Sequence, residues 1–371
     1  MHKRTSRSMK PLFEIYINRA FLEKLESLSK DQTYLDFVNN FMRWYSNGQV
    51  IIDGFSDIVE YQDFLVKKKL LNDIFNQARF ENFIPLLQND QFYKTGSGFK
   101  LFLLEDVDTE TLQAAYGFLF MELKSLSKKW GYHCTDTHRE FITSNESFEG
   151  IDPQLYFKDW SQLGDSVGDS GNSLVLFDKY ITQDISNQKL NDNLMPLLEH
   201  ALKKSSRKAC IEVLIICQLI RAKDLDSITV DDFIKIKNEI ESCLIQKGIS
   251  NCKVKFLLYP KAGQVSGLDQ KDKEHDRYFF TNYFYVKRAA GLNIFKEKNK
   301  GFNDQSNLEI YSHLDYKRVQ LKSIPSIQNI RRYVQSVNAL SREKKQKLIS
   351  KDKVIERLFS EDSSISNRLI N

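Results

Sequence analysis

The sequence predicts an α/β protein made of two α/β halves and a basic helical tail. Its 371 residues correspond to two globular domains, at about 100 to 200 residues per domain. Short apolar runs of strand length alternate with segments whose apolar residues recur at helical spacing, which is typical of a sheet covered by crossover helices. Glycine accounts for only 15 residues, about 4% against an average near 7%. We therefore expect that the protein does not bind phosphate through glycine-rich loops.

Residues 1–150 form the predicted N-terminal α/β domain. Its apolar runs have the length of buried strands, and the segments between them have amphipathic helical spacing. The predicted elements are, in chain order, a strand at FEIYIN (13–18), helices over 19–29 and 34–45, a strand at QVIIDGF (49–55), a helix over 64–77, a strand at KLFLLE (100–105), a helix over 109–130 and the segment HREFITSN (138–145).

Residues 151–172 are predicted to be a linker, because no helical or strand period persists through this Asp- and Ser-rich stretch. Residues 173–325 form the second predicted domain, and residues 326–371 form the basic helical tail. The elements of the second domain are, in order, a strand over 173–181, a helix over 191–205, a strand over 210–217, a helix over 231–248, a strand over 253–260, two aromatic-rich strands that meet near 287–291, and LEIYSHL (308–314).

The two halves share an order of elements that suggests a degenerate repeat. IIDGF corresponds to LVLFDKY, KLFLLE corresponds to IEVLIIC, and the segment starting at His138 corresponds to the segment starting at His275. The intervals between these segments differ between the halves. Two interpretations therefore stay open, a degenerate duplication and two unrelated α/β halves.

The strongest candidate for chemistry is the spacing H-x-R-x4-N formed by His275, Arg277 and Asn282, where a charged strand end meets an aromatic strand. It resembles the H-x-K-x4-D motif of the phospholipase D superfamily, with Arg277 in place of the lysine and Asn282 in place of the aspartate. In that family the imidazole attacks phosphorus and the cation holds the non-bridging oxygens. Arginine is a good phosphate ligand because its planar fork donates two hydrogen bonds. A structural histidine at a strand end is the other interpretation.

A closer resemblance covers residues 173–325. Through LVLFDKYI, NLMPLLEHAL, HDRYFFTN and GLNIF, this segment is similar to the phospholipase D-like C-terminal domain of MIT-domain proteins and related prokaryotic proteins. The resemblance implies a mixed sheet flanked by helices that binds phosphorylated ligands, with hydrolysis in doubt, and it suggests a prokaryotic antiviral or mobile-element conflict system. The ligand-binding residues that it implies are Asp178, Tyr180, Asp276, Arg277 and Gly291, together with His275.

A second half-site is the corresponding prediction for the first half, with His138 and Asn145 as its residues. Glu140 stands where Arg277 stands in the second half, and a carboxylate there would repel an anion. A structural role for His138 is therefore the competing interpretation. A weaker candidate is the set of carboxylates Asp53, Asp57 and Glu60, which follow a strand as metal ligands do in some nucleases, or else form a solvated loop and helix start.

The tail concentrates positive charge. From Lys317 to Arg357 there are 12 basic residues against three acidic ones, whereas the whole chain has a net charge of +5. An apolar stripe marks an amphipathic helix, formed by Ile327, Ile330, Val334, Val337 and Leu340. Such helices bind nucleic-acid backbones or anionic surfaces, or simply pack on their own domain. The tail residues predicted to bind a ligand are Arg331, Arg332, Lys344, Lys345 and Lys347.

Composition also limits compartment and cofactors. The most apolar run, at 211–220, is about half the length of a membrane helix, and the N-terminus lacks the apolar core of a signal peptide. The five cysteines are odd in number and form no C-x-x-C, so we expect reduced thiols in a cytoplasmic protein and neither a metal nor a cofactor.

Three functions follow from these patterns. The first is a protein that binds nucleic acid, DNA or RNA, or another phosphodiester. The aromatic stretch 278–285 would then either stack on bases or form core. The second is a metal-independent phosphodiesterase or nuclease that uses His275, and the third is a protein-interaction module that docks through its tail helix. A protein partner in a multi-component complex fits the first, and a homodimer is left open.

Overall fold

The computed structural model describes residues 12–28, 31–32, 35, 48–125, 138–166, 171–178, 181, 190–206, 208–218, 230–249, 251–259, 277–296, 301–314, 323–339 and 367–370. Contacts divide the chain into two units, one of residues 1–110 and 119–131 and one of residues 111–118 and 132–371. Each unit contains one sheet flanked by helices, which confirms the predicted α/β fold in two halves.

The first unit is built on a parallel sheet of five strands in the order β3-β2-β1-β4-β5. Its middle strands are apolar on both faces, as expected where helices cover both sides of a parallel sheet. Ile15 and Ile17 in the central strand have no exposed surface. The strands are β1 (Phe13–Asn18), β2 (Gly48–Asp53), β3 (Arg79–Phe80), β4 (Lys100–Leu103) and β5 (Leu119–Met121).

Several helices of the first half begin at a side chain that caps their first backbone amides. Asn18 caps the first helix by accepting a hydrogen bond from the Phe21 amide, and Asp57 caps the second through Val59 and Glu60. The helices are α1 (Arg19–Ser27), α2 (Ile58–Val66), α3 (Lys69–Phe75), α4 (Asp90–Lys94) and α5 (Thr109–Tyr116), with a 3-10 turn at Ile84–Leu86.

Two helix predictions in this half differ from the structure. The helix predicted over 64–77 is divided into α2 and α3. The helix predicted over 109–130 ends at Tyr116, because Gly117 adopts a positive φ of 68° and the apolar residues that follow form β5 beside β4. The helix predicted over 34–45 lies outside the described residues.

The second unit is built on a mixed sheet of seven strands in the order β6-β12-β11-β10-β7-β8-β9. Strands β7, β8 and β9 are parallel, and the pairs from β7 through β10, β11 and β12 to β6 are antiparallel. The strands are β6 (Arg139–Thr143), β7 (Ser173–Phe177), β8 (Ile211–Gln218), β9 (Cys252–Tyr259), β10 (Arg277–Thr281), β11 (Phe284–Arg288) and β12 (Ser306–Ser312).

Helices and aromatic side chains complete the core of the second unit. The predicted apolar stripe of the tail helix is confirmed over its described part, since Ile327, Ile330, Val334 and Val337 are all buried. The aromatic residues of β10 and β11 are buried too, which agrees with core, the second of the two roles considered for them. The helices are α6 (Trp160–Ser166), α7 (Met195–Ala201), α8 (Val230–Gln246) and α9 (Ile324–Asn338), with a 3-10 turn at Pro153–Leu155 and a π-helical turn at Leu190–Leu194.

The second unit starts earlier in the chain than its composition indicates. Strand β6 pairs with β12, and Phe157 and Trp160, from the stretch predicted as a linker, are buried against Phe295 of the same unit. Long-range strand pairing decides this membership, and local composition does not report it. The proposed duplication also fails, because β2 and β4 are separated by β1 whereas their supposed counterparts β7 and β8 are neighbours.

Candidate functional site

Three charged residues of the second unit meet where β7 and β11 end and β10 begins. Arg277 and Arg288 are directly opposite each other in the β10–β11 ladder. Phe177 is opposite Tyr278, so Asp178, one residue beyond β7, falls beside Arg277. Residues opposite each other in a ladder project from the same face of the sheet. We call this set of three residues the charged row.

The charged row is buried. Relative exposure is 1% for Asp178, 5% for Arg277 and 0% for Arg288. Burial lowers the pKa of Arg288, while the carboxylates of Asp304 and Asp178 raise it. Because arginine titrates far above neutral pH in proteins, Arg288 remains charged. The row therefore brings two guanidinium groups and one carboxylate together in a region of low dielectric, where ionic interactions are strong.

A short loop after β11 borders the row. Arg277 donates from Nη1 to the carbonyl oxygen of Ala289 at 3.2 Å, and the amide of Leu292 donates to Oδ2 of Asp178 at 2.8 Å. Gly291 has a φ of +105°, and a Cβ built on it would stand 3.7 Å from Oδ2 of Asp178. Three of the predicted site residues, Asp178, Arg277 and Gly291, are thus brought together by the fold.

Arg288 is the residue of this region that the sequence reasoning missed. Its guanidinium hydrogen-bonds Thr143, Gly291 and Asp304. A signal was present, since Phe284 and Val286 alternate with it along β11 and alternation places all three residues on one face. An arginine in phase with apolar residues indicates a buried cation that needs partners.

Asn282 does not belong to the charged row, because it follows the last residue of β10 whereas Arg277 is the first. Strand β10 separates the two residues, and its four steps from Arg277 to Thr281 correspond to about 13 Å. Oδ1 of Asn282 accepts hydrogen bonds from the amides of Asn172 and Ser173 at 2.9 and 3.0 Å, and Nδ2 donates to Oδ1 of Asn172 at 3.1 Å. The asparagine therefore joins the end of β10 to the start of β7.

His138 and Asn145 do not form a second half-site. They flank β6 at its opposite ends, on the far side of β12 and β11 from β10. Both amide-group atoms of Asn145 bond the backbone of Phe302, with Oδ1 accepting from the amide at 2.7 Å and Nδ2 donating to the carbonyl at 3.0 Å. Both residues thus belong to the same unit as Arg277, and β12 and β11 separate the strand that they flank from β10.

The tail arginines have different surroundings. Arg331 donates from Nε to the carbonyl of Leu369 at 3.3 Å, and burial lowers its pKa. Arg332 is exposed on α9. The other predicted site residues lie outside the described part of the chain, namely Tyr180, His275, Asp276, Lys344, Lys345 and Lys347.

The carboxylates considered as metal ligands have structural partners. Asp53 accepts hydrogen bonds from the amides of Gly54 and Ile84, Asp57 caps α2, and Glu60 pairs with Arg19 at 2.6 Å. In the described residues, no group of three or more His, Cys, Asp or Glu side chains is placed to hold a metal ion. The four cysteines within those residues are free thiols.

Comparisons with known proteins give no family. No family model matches the chain, and no curated protein matches it. Within the described ranges, no helix combines the length and the apolar character that crossing a membrane requires.

Proposed function

We propose that the second unit binds phosphodiesters, nucleic acid foremost, at the charged row. The observation that supports this most is the position of Arg277 at the start of β10, opposite Arg288 at the end of β11. Arg277 keeps a small exposed fraction of 5% and can offer its guanidinium group to a phosphate, while the fully buried Arg288 adds positive charge beside it. Guanidinium groups match the geometry of phosphate oxygens and donate to them in pairs. The phospholipase D-like resemblance that first suggested this ligand implies a mixed sheet flanked by helices, and the second unit contains a sheet of this kind.

Binding is proposed here without hydrolysis. In the phospholipase D-like interpretation His275 attacks phosphorus and Asn282 orients the imidazole, but Asn282 stands at the far end of β10 and bonds Asn172 and Ser173. The metal-independent nuclease therefore loses one of its three residues. A cytoplasmic setting in an antiviral or mobile-element conflict system rests on the resemblance alone.

The test is the binding of short labelled DNA and RNA, single- and double-stranded, to the full chain and to Arg277→Gln. We expect the variant to bind about tenfold or more weakly, because a charge-assisted hydrogen bond contributes about 1.5 to 3 kcal/mol. Arg79→Gln is the matched control, since it removes the same charge from an exposed residue of the first unit. Binding by the wild type should weaken steeply with salt, with a slope near −0.9 per phosphate contact on duplex DNA.

Two results would contradict the proposal. One is a wild-type protein that binds no oligonucleotide at low salt. The other is equal binding by wild type and Arg277→Gln, with a loss confined to Arg332→Gln on the exposed side of α9. That second result would assign the affinity to the tail helix and leave the charged row with a structural role.

A further inference from the structure

The loop Ala289–Leu292 contacts two members of the charged row at once. Its first residue accepts the hydrogen bond from Nη1 of Arg277 at 3.2 Å, and its last residue donates the hydrogen bond to Oδ2 of Asp178 at 2.8 Å. A change in the path of this loop would therefore move an acceptor away from Arg277 and a donor away from Asp178 together.

Arg288 connects this loop to two distant segments of the chain. Its Nη1 donates to the carbonyl oxygen of Gly291 at 2.5 Å. Its Nη2 donates to Oγ1 of Thr143 at 2.9 Å and to the carbonyl oxygen and Oδ1 of Asp304 at 3.0 and 3.2 Å. One guanidinium thus ties the loop to the end of β6 and to the segment before β12.

The second anchor of this network is the hydroxyl of Thr143. It accepts from Arg288 and donates to the carbonyl oxygen of Ser306 at 2.7 Å, so its two roles fix its orientation. Thr143 has no exposed surface. A valine would fill nearly the same volume but could neither accept from Arg288 nor donate to Ser306.

We infer that Arg288 is a positioning residue of the binding site: it fixes the loop Ala289–Leu292, and through this loop it sets the geometry of Arg277 and Asp178 without touching the ligand itself. The effect on affinity rests on the proposed function, but the effect on the loop does not. Arg288 is fully buried, so its guanidinium has no surface to offer a ligand. A lysine cannot replace it, because a single ammonium group lacks the planar fork that reaches three segments.

The experiment compares Thr143→Val and Arg288→Lys with wild type in two measurements. The first is hydrogen exchange of the Leu292 amide relative to the amide of Phe279 in the middle of β10. The second is oligonucleotide affinity. Thr281→Val is the matched control, since Thr281 is also fully buried and its hydroxyl accepts from the amides of Tyr283 and Phe284 at the far end of β10.

We expect Thr143→Val and Arg288→Lys to speed exchange at Leu292 relative to Phe279 by about tenfold, the ratio that corresponds to one lost hydrogen bond. Affinity should fall by a similar factor in both variants. Thr281→Val should lower the urea midpoint and leave the Leu292-to-Phe279 ratio and the affinity unchanged. Should Arg288→Lys fail to fold, Thr143→Val alone decides the test.

The outcomes separate the two proposals. Unchanged relative exchange at Leu292 in Thr143→Val overturns the positioning role, whatever the affinity does. Faster exchange at Leu292 with a wild type that binds no oligonucleotide supports the control of the loop and overturns the proposed function. A loss of affinity in Thr281→Val equal to that in Thr143→Val would show that stability alone lowers binding, and would also overturn the positioning role.

Discussion

Replacing Asn282 by alanine is expected to destabilise the second unit, because the side chain joins two strands at their ends. The residue has no exposed surface, and its side chain hydrogen-bonds the backbone amides of Asn172 and Ser173 and the side chain of Asn172. A Cβ built on Gly171 would stand 2.2 Å from Oδ1 of Asn282, so the chain passes too close for any other residue there. The backbone at Gly171, Asn172 and Ser173 therefore surrounds the amide group of Asn282.

The size of the effect follows from the groups left behind. Alanine leaves two buried backbone N–H groups without an acceptor, and each unsatisfied buried donor costs about 1 to 3 kcal/mol. We expect a loss of about 3 to 4 kcal/mol, after some relaxation of the chain around Asn172. That loss is a large fraction of the roughly 5 to 15 kcal/mol by which proteins are stable.

The assay is urea unfolding of the full chain, followed by circular dichroism. Asn307→Ala is the matched control, because Asn307 is exposed and its side chain donates to Glu140 on the same sheet. We expect this control to change the free energy of unfolding by no more than about 0.5 kcal/mol.

One result would refute this reasoning. If Asn282→Ala unfolds at the urea concentration of wild type, the hydrogen bonds to Asn172 and Ser173 are dispensable. If, in addition, the wild type cleaves a phosphodiester and this variant does not, Asn282 acts in chemistry. The H-x-R-x4-N motif would then return as a catalytic unit.

Two further predictions concern buried titratable groups. Burial lowers the pKa of His313 from 6.5 to about 3. Between these two pH values the imidazole is protonated in the unfolded chain and neutral in the folded chain, so lowering the pH through this window destabilises the fold. As the pH is lowered from 6.5 to 3, the free energy of unfolding measured with urea should decrease more steeply in wild type than in His313→Gln, by up to about 1.4 kcal/mol per pH unit. Equal slopes in the two proteins would contradict the lowered pKa of His313. Glu14→Leu should lower the free energy of unfolding by about 3 to 5 kcal/mol, because it leaves the Lys100 ammonium, whose side chain is 1% exposed, without this carboxylate. Adding Lys100→Met should restore most of the lost stability.

Part of the candidate site could be predicted from the sequence. Asp178 follows β7, Arg277 begins β10 and Gly291 lies in the loop after β11, and the fold brings these three predicted residues together. The surroundings of Asn282 could not be predicted in this way, because its partners Asn172 and Ser173 stand 110 and 109 positions earlier in the chain.

Other parts of the site could not be predicted, because they depend on which strands pair. The register of β10 and β11 puts Arg288 opposite Arg277, 11 positions away in the chain. The hydrogen-bond partners of Arg288 are farther apart still, since Thr143 comes from an earlier segment of the chain and Asp304 from a later one. Nothing in the local composition around Thr143 indicates that its hydroxyl meets this arginine.

The sequence by itself determined the fold class, the existence of the apolar strands β7, β8 and β9, and the buried stripe of α9, since each depends on a pattern within one segment. Only the tertiary structure decided that β6 joins the second sheet, that β5 replaces the end of a helix, and that Asn282 and Arg277 stand at opposite ends of β10. Periodicity is a property of neighbouring residues, whereas sheet membership and register follow from contacts between segments far apart in the chain.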